Sequence, residues 1–133
     1  MEDTQYLLRR KALQARDGDV WLPQDVFAQL QRVTRSARKY YAEVDPSILQ
    51  LDEPRIHALN DLMDNAQDDK AGGWNLHVTN LDLFDLEKLC LYAEEFFADL
   101  GGAETLGMTP PDITALTEKL GKYRDATFPA DAG

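Results

Sequence analysis

The chain has 133 residues, 44% of them hydrophobic, a single cysteine and a formal net charge of −10. That length and apolar content suit one domain with its own core and exclude a chain disordered throughout, and the lone Cys90 excludes an intramolecular disulfide. Residues 1–55 are neutral overall, so the excess negative charge lies entirely in residues 56–133, with five basic and fifteen acidic groups; this disfavours nucleic acid and anionic membranes as partners of that portion. The start of the chain has no basic n-region followed by an apolar h-region, and no stretch approaches about 18 apolar residues. A cytoplasmic protein without membrane contact is therefore expected.

A first helix is expected over residues 4–16, ended by Asp17-Gly18. Its apolar pattern is poor, and Arg9, Arg10 and Lys11 form a short basic run. Residues 19–22 read as a connector that carries Trp21 towards the core. Pro23 suits the first turn of a second helix, where its missing N–H costs nothing. That helix is expected to reach about Val44, with Val26, Phe27, Leu30, Val33, Ala37, Tyr40, Tyr41 and Val44 inward. Arg32, Arg35, Arg38 and Lys39 gather on the opposite side at about 100° per residue. They form a basic stripe that reads first as an ordinary cationic outer face, pairing with acidic residues of a neighbouring helix or a second subunit, and otherwise as a site for phosphate, nucleic acid or an acidic protein surface.

Asp45-Pro46 breaks this helix, and residues 47–51 form a connector. Asp52 caps a third helix, with Glu53 and Pro54 in its first turn, that ends near Asp69. Ile56, Leu59, Leu62, Met63 and Ala66 face inward; Glu53, His57, Asp61, Asp64 and Asp68 fall in a narrow outward arc. An imidazole four residues from a carboxylate can share a divalent cation with it, but metal sites need a fuller ligand set than one helix face supplies. The arc reads first as an acidic surface with one histidine.

Residues 70–80, KAGGWNLHVTN, are the most distinctive non-helical piece. Gly72-Gly73 turns the chain, and Trp74 to Val78 alternates as a short extended segment would. Trp74 beside Asn75 and His77 is a candidate binding anchor if exposed, since tryptophan brings a large apolar area and one donor; tucked inward, it seals the core.

A central helix is expected over residues 82–100, capped by Asn80 or Asp82 and stopped by Gly101-Gly102. Leu86, Leu89, Cys90, Ala93, Phe96, Phe97 and Leu100 make its apolar face, widened by Leu83, Phe84 and Leu91, while Asp85, Glu87 and Lys88 belong to the polar side. Cys90 therefore reads as a buried structural thiol. After a loop over 103–108, Thr109-Pro110-Pro111-Asp112 opens a last helix, with Ile113, Leu116, Leu120 and Tyr123 inward. Residues 126–133 are expected as a flexible tail onto which Phe128 can dock.

The chain lacks a phosphate-binding glycine loop, a zinc-type cysteine pair and a Gly-x-Ser-x-Gly elbow, and its two serines, Ser36 and Ser47, have no nucleophile context. The expectation is an all-α, single-domain bundle of about five helices over 1–125. Its core is Phe27, Leu30, Val33, Tyr41, Leu59, Leu62, Leu86, Leu89, Ala93, Phe96, Phe97, Leu116 and Leu120. The expected function is a non-enzymatic protein-binding module (an inhibitor, immunity-type protein, adaptor or assembly chaperone) without cofactor or metal. Its binding residues would be Glu53, His57, Asp61, Asp64, Asp68, Trp74 and His77, facing a basic protein partner. The alternative is a nucleic-acid-associated regulator using Arg32, Arg35, Arg38 and Lys39, and the third reading a metal-dependent enzyme around His57. A charge-paired homodimer is also open.

Overall fold

The computed structural model describes residues 2–40, 51–93 and 108–128. In chain order these form α1 (Glu2–Gln14), β1 (Asp17–Pro23), α2 (Gln24–Tyr40), α3 (Glu53–Asp64), β2 (Gln67–Asp68), β3 (Gly73–Thr79), α4 (Asn80–Tyr92) and α5 (Pro110–Thr127). The three strands make one antiparallel sheet in the order β1-β3-β2. An all-α bundle is thus ruled out: the fold mixes helices with a small sheet.

The sheet forms where the sequence alternates. In β1, Val20 and Leu22 are buried while Asp17, Asp19 and Trp21 are exposed; in β3, Leu76 and Val78 are buried and Asn75 and His77 exposed. This period of two suits strands with one covered face. Residues 17–23, expected as a helix stop, a connector and a helix start, are instead one strand pairing Asp17–Pro23 with Thr79–Gly73. Pro23 ends that strand rather than opening α2. It is tolerated because β1 lies at the sheet edge, where a missing N–H does not interrupt a central ladder.

Helices cover the inner sheet face. Val26, Phe27, Leu30, Val33 and Ala37 of α2 join Ile56, Leu59 and Met63 of α3, Leu83, Leu86, Leu89 and Cys90 of α4, and Ile113, Leu116 and Leu120 of α5 in one core. Of the expected core, Leu62 is only partly buried and packs against it. Tyr41, Phe96 and Phe97 lie outside the described residues, as do Val44, the Asp45-Pro46 break, Leu100, the Gly101-Gly102 stop and the loop expected after it.

The helix starts follow local chemistry. Asp52 accepts the Arg55 backbone N–H at 2.9 Å, and Thr109 and Asp112 form a reciprocal capping box. For α4 the cap is Thr79 rather than Asn80 or Asp82. Its hydroxyl accepts the Asp82 N–H at 3.0 Å, while the Asp82 carboxylate accepts the Thr79 N–H at 2.9 Å. Helix α3 stops at Asp64, so Asp68 sits on β2 and leaves the expected helical arc. At the other end of the chain, α5 runs to Thr127 and Phe128 is buried.

Asp85 departs furthest from its expected place on a polar face. It is completely buried, where an isolated carboxylate would be heavily penalised. Both its oxygens accept from the Arg10 guanidinium, at 2.7 and 2.8 Å, and Arg55 Nε donates to one of them at 2.7 Å. Arg55 also donates to Asp82 at 2.8 Å. One carboxylate thereby ties α1 and α3 to α4.

Candidate functional site

The outer face of the sheet gathers the polar groups that the strands keep out of the core. Register sets them in rows across the strands: Trp21 opposite Asn75, which is opposite Gln67, and Asp19 opposite His77. Asp17 continues the β1 edge.

Trp21, expected to be carried inward, is 43% exposed. Its indole lies over Gly73: a Cβ at that position would come within 2.2 Å of the ring, so glycine is what lets the ring lie flat. The indole N–H donates to the Asp69 carboxylate. Asp69 also accepts the Ala71 and Gly73 backbone N–H groups, at 2.8 and 3.1 Å. These bonds, the one from Ala71 first, hold its carboxyl below the usual aspartate value. The turn is completed by Lys70 and Gly72, both at positive φ (63° and 90°).

His77 bridges two carboxylates of β1. Its Nδ1 lies 2.8 Å from Asp19 and its Nε2 3.0 Å from Asp17. Only the imidazolium donates from both nitrogens at once. The hydrogen bond to Asp19, followed by that to Asp17, raises the imidazole above its ordinary value. A groove of about 370 Å³ runs beside this pair, lined by Asp19, Asn65, Gln67, Asn75, Leu76 and His77.

The residues singled out in the sequence are dispersed. Glu53, Asp61 and Asp64 are exposed on α3, His57 is half-buried there, and Asp68 is exposed on β2. Trp74 is spent on packing: its ring stacks on Phe27 at a centroid distance of 4.5 Å and an interplanar angle of 13°, and its N–H donates to Gln24. Of that set only His77 lies on the outer sheet face with Trp21. The missed residues were Asp17, Asp19, Trp21 and Asp69. The alternation of DGDVWLP signals the strand that carries the first three, while its glycine and proline are equally the marks of a turn and a helix start.

Arg32, Arg35, Arg38 and Lys39 are exposed on α2. Ser36 is fully buried, out of reach of any substrate. Cys90 is also buried, which pushes its thiol far above the usual range and away from the nucleophilic thiolate. Among the described residues no three His, Cys, Asp or Glu side chains are grouped to hold a metal ion, and no helix is long and apolar enough to cross a membrane.

A larger groove of about 620 Å³ lies between α1 and the start of α3. Its guanidiniums, Arg10 and Arg55, are committed to Asp85 and Asp82, so the outer sheet face is the stronger candidate. Comparison of the chain with family models, curated proteins and solved structures gave no match.

Proposed function

We propose that this protein is a non-enzymatic binding module, cytoplasmic, that recognises a basic protein partner through the outer face of its sheet. The observation that supports this reading most is Trp21, a half-exposed indole held flat by Gly73 and Asp69 beside Asp17 and Asp19. An aromatic ring fixed before binding loses little entropy when a partner covers it, and surrounding carboxylates steer a cationic surface towards it. Asp61, Asp64 and Asp68, exposed on α3 and β2, add to the negative charge that would steer a cationic partner, without acting as the anchor. An inhibitor, immunity-type protein, adaptor or assembly chaperone would each use such a surface.

The test is affinity capture from native cell extract at low and high salt, with Trp21→Ala and the triple variant Asp61→Lys, Asp64→Lys, Asp68→Lys alongside. The expected result is a basic protein retained at low salt and released at high salt. The alanine variant should lose it, and the triple variant should associate more slowly. Retention that ignores salt and both variants would overturn the proposal.

A second reading rests on α2, where exposed Arg32, Arg35 and Arg38 form no ion pair with the described residues. A nucleic-acid backbone would suit that stripe. Salt-sensitive oligonucleotide binding lost on replacing these three and Lys39 by alanine would favour it; no binding would remove it.

A further inference from the structure

We propose that the groove beside His77 is a receptor for an arginine side chain, its guanidinium held between the Asp19 carboxylate and the side-chain amides of Asn65, Gln67 and Asn75. The inference rests on the reading of the protein as a binder of a basic partner and names the group that partner would insert.

Three observations converge on it. The first is the lining. Four of the six residues around the groove, Asp19, Asn65, Gln67 and Asn75, carry side-chain oxygen acceptors, and they come from β1, the end of α3, β2 and β3. Acceptors spread over several elements match a guanidinium, which offers five N–H donors in one plane; an ammonium radiates three from a single point.

The second is the position of Asn65. It is the C-cap of α3, and the last turn of that helix holds no basic residue. The carboxyl end of a helix carries partial negative charge that a cation normally complements. The last turn of α3 supplies no such cation itself, and its cap residue Asn65 lines the groove.

The third is His77. Among the described residues it is the one basic side chain lining the groove, and it already lies against Asp19 at 2.8 Å. The imidazole ring thus marks one edge of the carboxylate that a guest would use. Its second carboxylate, Asp17, lets it stay bound on β1 while Asp19 turns to the guest. Trp21, directly opposite Asn75 across the strands, bounds the same row and offers an aromatic wall for the partner's surface around the inserted arginine.

The test uses isotope-labelled full-length protein titrated with N-acetyl-arginine amide, and with N-acetyl-citrulline amide as the uncharged analogue of the same shape. The arginine probe should move the side-chain amide signals of Asn65, Gln67 and Asn75 and the ring signals of His77; the citrulline probe should not. Asp19→Asn should weaken arginine binding by about tenfold or more, the scale of one hydrogen bond to a charged group, and Gln67→Leu should weaken it less. Equal responses to the two probes, shifts located elsewhere, or an unchanged affinity in Asp19→Asn would overturn the inference. The probes need no partner, so the two proposals fail separately. A captured basic protein with a silent groove sinks only the arginine receptor. An arginine-responsive groove with no basic protein retained sinks only the proposed function.

Discussion

His77 illustrates how much a single side chain can report at the surface. Its bonds to Asp17 and Asp19 favour the charged imidazole, so its value in the folded protein lies above the ordinary 6.5. The protonated form is therefore bound more tightly in the folded state than in the unfolded one. The stabilisation is fully present below about pH 6.5 and is lost as pH rises through the elevated folded value. His77→Gln should abolish that part of the decline, measured as denaturation midpoints from pH 5 to 9; a wild-type profile identical to the variant's would refute the bridge. The effect will be modest, since all three side chains are largely solvated. His77 itself was legible from the alternation of residues 74–78. Its partners were not, because Asp19 lies 58 residues away and no local pattern announces a contact across that distance. Trp21 and Trp74 make the same point: both sit in alternating segments, and only the pairing of those segments decides which ring faces water.

Helices α3, α4 and α5 were legible to within a few residues at their starts; Asp52 and Thr109-Asp112 are local capping chemistry, while at α4 the cap is Thr79 and not the expected Asn80 or Asp82. Helix α1 has a different kind of attachment. No described side chain of α1 is buried; only Arg10 and Leu13 are partly covered, while Leu7 and Leu8 are 62% and 61% exposed. The helix is held instead by the two-toothed contact of Arg10 with Asp85, by Arg9 over the Phe84 ring at 5.3 Å and by the Asn80 N–H donating to the Arg16 carbonyl. Replacing Arg10 by Gln should therefore loosen α1 selectively. The expected loss is about 2 kcal/mol, the scale of hydrogen bonds to a charged group, since Arg55 still compensates the buried carboxylate. Hydrogen exchange should speed up across α1 while α4 and α5 keep their protection. Uniform acceleration across all three helices would show that the contact supports the whole fold. The poor apolar pattern of α1 foretold weak packing, but the buried ion network that replaces it depends on partners 75 and 30 residues apart.

At the scale of the whole molecule, the polar and apolar sides of one small sheet divide the labour. The inner side completes the helical core, and the outer side carries the only tryptophan that is substantially exposed among the described residues. The strand order has a consequence for how the chain finds its structure. Strands β2 and β3 are joined by a short turn, whereas the edge strand β1 must wait for a partner that follows two helices later: Asp17 and His77 are 60 residues apart. Closing a large loop carries an entropic penalty before any long-range pairing repays it. The local hairpin and the adjoining cap of α4 should therefore acquire protection first in pulse-labelled refolding, and the amides of β1 last. Early protection of β1 would contradict this order. A chain emerging from the ribosome would meet the same delay, with the apolar edge of β1 unpaired until Thr79 has been made and released. The outer face of the sheet thus cannot form before β3 has been made, and a chain that stops short of Gly73–Thr79 cannot present it.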